Sequence, residues 1–160
     1  MSHNKKKHFI IIAGESSGDG HGAQLIKNMR HTNPEISFSG LGGPKMKQEG
    51  FCSLVPMRRL SVMGFWEVLK NILFFFHLER LVLKHIQEVL PDKVVLIDYP
   101  GFNLRIAKKM KRLTTSRVLY YISPQLWAWK ENRIETIKQH VDALIVLFPF
   151  EVDWYKKRDI

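Results

Sequence analysis

Three common features are scarce or missing in this chain of 160 residues. It has one cysteine, Cys52, which excludes an internal disulfide and fits a reducing compartment. It has no run of about 18 uncharged apolar residues, so no segment is predicted to span a bilayer. Acidic residues number 15 against 25 lysines and arginines, a formal net charge of +10. This charge favours an anionic partner such as nucleic acid, a phosphorylated small molecule or an acidic membrane surface.

Targeting and nucleotide-binding motifs are also absent. The segment 1–8 is polar and basic, and the apolar run 9–13 is too short for a signal-peptide core, so we expect a cytoplasmic protein. The sequence has no Gly-Lys-Ser/Thr, which excludes a P-loop. Gly18-x-Gly20-x-x-Ala23 fits a loose dinucleotide fingerprint, but no acidic ribose partner follows the second predicted strand, which disfavours an oxidoreductase. Nucleic-acid binding would depend on net charge alone, so no nucleic-acid partner is expected.

The remaining sequence alternates between short apolar runs and helical patterns. With 45% hydrophobic and 25% charged residues, it is typical of one globular domain. The alternation predicts an α/β fold, a Rossmann-like parallel sheet flanked by helices. Strands are predicted at 9–13, 36–41, 51–55, 93–97, 117–122 and 143–147, and helices after each of them.

The central segment is Lys93-Val94-Val95-Leu96-Ile97-Asp98-Tyr99-Pro100-Gly101-Phe102-Asn103. An apolar run ends at a carboxylate and a Pro-Gly turn, and Asn103 is predicted to cap the following helix. Ligands bind at the carboxyl ends of strands in open α/β sheets, so Asp98 is a candidate base. An equally good interpretation is that Asp98 only fixes the turn.

A glycine-rich loop follows the first strand, from Gly14 through Gly22. Small residues let a ligand approach the backbone, and the N-terminus of the following helix favours anions. For Ser17 or Asp19, the simpler interpretation is that either one caps this helix.

Aromatic residues concentrate in two segments. A long helix is predicted from about Val62 to Val89, and between Asn71 and Glu79 it is apolar on every face except at His77. Either it is buried on several sides, or part of it is an exposed patch that contacts a membrane or partner. The Trp-rich loop 123–129 is expected to wall a pocket or to close the core.

Taken together, six segments in order resemble one family, the lipid-A-disaccharide synthases. They are Ala13-Gly14-Glu15-x-Ser17-Gly18-Asp19 with Gly22-Ala23, Gly42-Gly43-Pro44-x-Met46 with Glu49-Gly50, Val62-Met63-Gly64 with Glu67-Val68-Leu69, Ile97-Asp98-x-Pro100 with Phe102-Asn103, Tyr121-x-Ser123-Pro124 with Trp127-Ala128-Trp129, and Pro149-Phe150-Glu151.

The resemblance implies a two-domain glycosyltransferase of the GT-B type, of which residues 1–160 form the N-terminal, acceptor-side domain. Such an enzyme transfers a sugar from UDP-2,3-diacylglucosamine to 2,3-diacylglucosamine 1-phosphate. It forms the β-1,6 disaccharide precursor of lipid A with inversion at the anomeric carbon. A displacement of this kind needs a general base and no metal ion or other cofactor.

The resemblance also implies roles for residues. Asp98 matches the position of the general base, and Glu15 and Asp19 match acids that orient the acceptor or the base. The aromatic segment matches a region used against the inner-membrane surface, which implies a peripheral protein on its cytoplasmic face. The expected substrate-binding residues are Gly14, Glu15, Ser17, Gly18, Asp19, Asn103, Ser123 and Trp127. The expected membrane contacts are Phe65, Trp66, Leu69, Ile72, Phe74, Phe75 and Phe76.

Two departures from the family pattern matter. Gly101 stands where the family usually has a second acid. The UDP-sugar-binding domain is expected to be absent, so a C-terminal half or a homodimer partner is possible, and we expect the chain alone not to turn over. The alternative function is a non-catalytic, membrane-associated module that binds a phosphorylated glycolipid.

Overall fold

A computed structural model describes residues 6–56, 72–128 and 131–160 of the chain. Strands and helices alternate in it, as the sequence pattern predicts. The strands are β1 (His8–Ala13), β2 (Ser37–Leu41), β3 (Cys52–Ser53), β4 (Lys93–Ile97), β5 (Arg117–Tyr121) and β6 (Ala143–Ile145). The helices are α1 (Ser16–Thr32), α2 (Pro44–Gln48), α3 (Ile72–Val89), α4 (Pro100–Met110), α5 (Ile134–His140) and α6 (Pro149–Lys156), with a 3₁₀ turn at Glu131–Arg133.

All six strands are parallel and lie in the order β3-β2-β1-β4-β5-β6. The α/β class and the Rossmann-like parallel sheet are therefore confirmed. β1 and β4 form the centre of the sheet, with Ala13 paired to Ile97 at their carboxyl ends. Their runs of branched apolar residues are buried on both faces, which is why they read as unbroken hydrophobic segments in the sequence.

Alternate residues of the central strands supply two cores on opposite faces of the sheet. Ile11 and Val95 point to the face covered by α1 and α2, where Ile26 and Met46 are fully buried. Ile10 and Leu96 point to the face covered by α3, α4, α5 and α6. With helices on both faces, the carboxyl end of the strands is the expected place for a ligand.

Helix α4 differs from the prediction at its beginning. Asn103 was expected to be the N-cap, but the helix begins at Pro100 and its N-cap is Tyr99, in a left-handed conformation. Proline is well suited to the first helical turn because its missing N–H has no intrahelical partner there. The prediction of Asn103 as a cap was therefore wrong, since Asn103 lies one turn inside the helix.

Helix α3 ends at Val89 as predicted. Its predicted beginning near Val62 lies outside the described residues. Among the described helices, none is long and apolar enough to cross a bilayer.

Candidate functional site

The candidate site lies where strand order reverses, between the carboxyl ends of β1 and β4. β2 follows β1 on one side, while the chain returns through β4 on the other, so the loops after these two strands diverge and leave a crevice. The loop after β1 contains Gly14 and leads directly into α1, and β4 is followed by Asp98. The N-terminus of α1 therefore lies at the same end of the sheet as Asp98, where its amide groups favour an anion.

The main chain turns sharply at Asp98. Asp98 and Tyr99 have φ angles of 44° and 48°, so two consecutive non-glycine residues adopt the left-handed region. This conformation costs about 1–2 kcal/mol per residue. The Asp98 N–H still extends the sheet by donating to the carbonyl of Tyr121, at 3.3 Å. After this turn the chain leaves the sheet, and α4 begins at Pro100.

Asp98 is half-buried at this turn. Burial raises the pKa of its carboxyl group, while the Tyr99 N–H and the nearby His21 act in the opposite direction. A carboxylate with a raised pKa accepts a proton more readily than an exposed aspartate, which suits a general base.

The Tyr99 ring occupies the space above Gly14. A Cβ built on Gly14 would lie 2.3 Å from Cδ1 of Tyr99, closer than any side chain tolerates. Burial raises the pKa of the Tyr99 hydroxyl, and the charge of Glu15 raises it further. Gly14 is thus the residue that lets the two loops of the crevice meet.

The other residues of the glycine loop have different positions. Glu15 and Ser17 are exposed at the start of α1, and Gly18 is buried. Asp19 is only 2% exposed, and its carboxylate accepts hydrogen bonds from the N–H groups of Gly43, Lys45 and Met46 at 2.8–3.0 Å. Asp19 therefore caps α2. The sequence interpretation that Asp19 caps α1 was wrong, because the helix that it caps begins about 25 residues further along the chain.

Asn103 lies beneath the turn and is fully buried. Its side-chain amide donates to the carbonyls of Ile97, at 3.1 Å, and Asp98, at 2.7 Å. The amide nitrogen thus connects α4 to the end of β4 and is held by protein partners.

Ser123 and Trp127 are organised by Glu151, which is 1% exposed. One carboxylate oxygen of Glu151 accepts from the Trp127 indole N–H at 3.1 Å and lies 3.4 Å from the Ser123 hydroxyl. The other oxygen accepts from the N–H groups of Leu147 and Phe148. Trp127 is 41% exposed, with its ring 5.2 Å from that of Phe150. The Trp127 ring therefore has a defined position near the carboxyl end of the sheet.

Of the expected membrane contacts, Phe65, Trp66 and Leu69 lie outside the described residues, and Ile72 is the first residue of α3. Phe74 and Phe75 are half-buried and pack against the core. Phe76 is 47% exposed, and its neighbour Leu73 is 71% exposed. The first turns of α3 thus combine a buried side with an exposed apolar side.

A basic surface adjoins these exposed residues. A groove of about 350 Å³ is lined by Phe76, His77, Glu79, Arg80, Leu83 and Lys109. Glu79 is 4% exposed and pairs with both Lys109 and Arg105, whose guanidinium lies 5.0 Å from the centre of the Phe76 ring. One buried carboxylate thus holds two cations of α4 against α3.

Sequence reasoning missed two residues of the site. His21 faces Asp98 from α1, with its ring 6.5 Å from that of Tyr121, and nothing in the local pattern distinguishes it. Glu151 had a signal that could have identified it, because it is the third residue of the helix that begins at Pro149, which is the position of the acid in a capping box. In the described ranges, no three His, Cys, Asp or Glu side chains cluster closely enough to hold a metal ion.

Comparisons with known proteins identify the family. The family model described as lipid-A-disaccharide synthetase matches residues 9–160. A lipid-A-disaccharide synthase of Trichlorobacter lovleyi is 42% identical over 164 residues, covering 100% of this chain and 42% of that protein. That of Geobacter sulfurreducens is 41% identical over 160 residues, covering 100% of this chain and 41% of that protein.

A synthase of Francisella philomiragia is 40% identical over 92% of this chain and 39% of that protein. The chain thus spans about two fifths of the length of the curated relatives that it matches. Among solved structures, a protein of unknown function from Vibrio parahaemolyticus is similar at a TM-score of 0.45 and 16% identity, covering 93% of this chain and 97% of that one. On the match of the family model and these relatives, the chain belongs to the lipid-A-disaccharide synthase family.

Proposed function

We propose that this chain is the acceptor-side domain of an inverting glycosyltransferase. The proposed enzyme transfers the sugar of UDP-2,3-diacylglucosamine to the 6-hydroxyl of 2,3-diacylglucosamine 1-phosphate, with Asp98 as the general base. The observation that carries this proposal is the half-buried Asp98 carboxylate at the switch point of the sheet, with its raised pKa. The names of the relatives favour an enzyme over a non-catalytic module.

In the proposed reaction, the Asp98 carboxylate takes the proton of the acceptor hydroxyl while the oxygen attacks the anomeric carbon and UDP leaves. The N-terminus of α1 and the exposed Glu15 and Ser17 lie at the same end of the sheet, where they can orient the acceptor. We further propose that the UDP part of the donor binds to a second domain, which corresponds to the remainder of the relatives' length.

The test is a fusion in which these 160 residues replace the matched part of the Trichlorobacter lovleyi relative, assayed for UDP release. Asp98→Asn should lower the rate about 100-fold or more, because an amide cannot take the proton. Asp153→Asn, at an exposed aspartate of α6, is the matched control and should keep the rate. The unfused chain should release no UDP. An Asp98→Asn fusion within about threefold of the parent would overturn the proposed role of Asp98.

We also propose that the start of α3 contacts an anionic membrane surface. Exposed Leu73 and Phe76 can enter the interface, while Arg80, Arg105 and Lys109 can approach the lipid head groups. This arrangement suits acyl-chain substrates that stay in the bilayer, and it implies a peripheral protein on the cytoplasmic face of the inner membrane.

Vesicle cosedimentation checks the membrane contact. Leu73→Ser with Phe76→Ser should weaken binding to phosphatidylglycerol-containing vesicles by about tenfold, since two partly exposed apolar side chains are lost from the interface. Leu147→Ser with Phe150→Ser removes side chains that are 54% and 51% exposed at the carboxyl end of the sheet. Equal loss of binding in both double variants would show that general apolar exposure, and not the start of α3, binds the vesicles.

A further inference from the structure

The carbonyl oxygen of Asp98 receives two side-chain hydrogen bonds. The Tyr120 hydroxyl donates to it at 2.7 Å, and the Asn103 amide donates to it at 2.7 Å. Tyr120 belongs to β5 and Asn103 to α4, so the donors reach the turn from two different elements. Both residues are 0% exposed.

These two hydrogen bonds act on a part of the backbone that needs support. A left-handed conformation at two consecutive non-glycine residues persists only where the surroundings fix it. The carbonyl group of Asp98 belongs to the peptide unit that joins the two strained residues, so hydrogen bonds that hold this group restrain both of them. The phenol donates to the main chain of Asp98, so this hydrogen bond does not occupy the carboxylate oxygens.

We propose that Tyr120 is a positioning residue of the Asp98 site, holding the left-handed turn together with Asn103 so that the carboxylate stays half-buried in the crevice. The catalytic use of this positioning rests on the proposed function, whereas the positioning itself does not.

A second buried tyrosine of the same core, close to Tyr120, provides a matched control. Tyr155 is 2% exposed, and its hydroxyl donates to the carbonyl of Pro124 at 2.9 Å. Tyr120 and Tyr155 both belong to the core cluster on the α3 face of the sheet. Replacing either by phenylalanine removes one hydroxyl and one hydrogen bond to a main-chain carbonyl, but only Tyr120 touches Asp98.

The experiment follows the titration of the Asp98 carboxyl carbon by ¹³C NMR in the 160-residue chain. Tyr120→Phe should lower the midpoint of this titration toward the ordinary range of aspartate, because a loosened turn gives the carboxylate more water. Tyr155→Phe should leave the midpoint unchanged even if it lowers stability equally. The His21 side chain, which faces Asp98 from α1, is retained in both variants.

An Asp98 midpoint that is the same in Tyr120→Phe as in the parent chain would overturn the proposal. If Tyr120→Phe does not fold, Asn103→Ala removes the other donor to the Asp98 carbonyl. An Asp98 midpoint that is the same in Asn103→Ala as in the parent chain would then overturn the proposal. Failure of the proposed function would give a different result. The Asp98 midpoint would still be lowered in Tyr120→Phe, but the Asp98→Asn fusion would release UDP as fast as the parent fusion.

Discussion

At the scale of single residues, the site depends on close approach between two loops. The Tyr99 ring lies where any side chain at position 14 would project, so the crevice needs glycine there. Gly101 stands in the opposite situation: among the described residues, and apart from its chain neighbours and the backbone of its own helix, no atom lies within 4 Å of a Cβ placed on it. Gly14 lies in the loop after β1, and Gly101 lies in the first turn of α4.

Substitution of these glycines tests that difference. Gly14→Ala should destabilise the chain by about 1–3 kcal/mol, because its methyl group must displace the Tyr99 ring. Gly101→Ala lies in the first turn of α4 and should be neutral or stabilising by up to about 1 kcal/mol, because alanine favours helix. Urea unfolding followed by far-UV circular dichroism measures both. Equal stability of the two variants would show that the Tyr99 ring moves aside without cost.

At the scale of secondary-structure elements, a single carboxylate fixes the short helix α2. Asp19 on α1 accepts three N–H groups at the start of α2, a helix of five residues that could not persist alone. Met46 of α2 is fully buried against the face of the sheet that α1 covers. The position of α2 therefore depends on a contact made by another helix.

Removing the Asp19 carboxylate should therefore destabilise the chain. Asp19→Ala leaves buried N–H groups without an acceptor and should lower the free energy of unfolding by about 1–3 kcal/mol or more. Glu35→Ala removes an acid from an exposed ion pair with Lys6 and should change it by less than about 1 kcal/mol. The same urea titration provides the comparison. A change of under about 0.5 kcal/mol for Asp19→Ala would contradict the assigned capping role.

At the scale of the whole molecule, two histidines join three elements at the amino end of the sheet. His8 of β1 lies 2.8 Å and His85 of α3 lies 2.7 Å from the hydroxyl of Ser39 in β2. Burial lowers the pKa of His8, with His85 lowering it further and Asp92 raising it. Burial also lowers the pKa of His85, against a smaller effect of Glu88. Folding thus favours the neutral form of both imidazoles.

Acid should weaken this junction. A histidine whose pKa is lowered on folding binds more protons when unfolded, so its contribution to stability is present above the unfolded pKa of about 6.5 and is lost as the pH falls below it. We expect the free energy of unfolding to fall between pH 7.5 and pH 5.5. His85→Gln should flatten this dependence, whereas His31→Gln, at an exposed position of α1, should leave it unchanged. If the free energy of unfolding of His85→Gln depends on pH as strongly as that of the parent chain, then other groups cause the effect.

Much of the fold was predictable from the sequence because the relevant signals are local. Apolar runs of five or six residues gave β1, β4 and β5, and glycine and proline marked the turns after them. The predicted strand 143–147 was too long, because Leu147 and Phe148 donate their N–H groups to Glu151. The place of Asp98 at a strand end, and the segments that identify the family, are likewise properties of the linear sequence.

Only the tertiary structure decided which groups meet. The partners of Asp19 lie 24–27 residues away, Ser123 is 28 residues from Glu151, and Ser39 is 46 residues from His85. No local pattern encodes such distances, since they follow from the order in which parallel strands pair and from which helix covers which face. The sequence by itself determined that a carboxylate follows β4. The tertiary structure determined where that carboxylate lies. It placed β1 beside β4, Gly14 beneath the Tyr99 ring, and the donors Tyr120 and Asn103 at the Asp98 carbonyl.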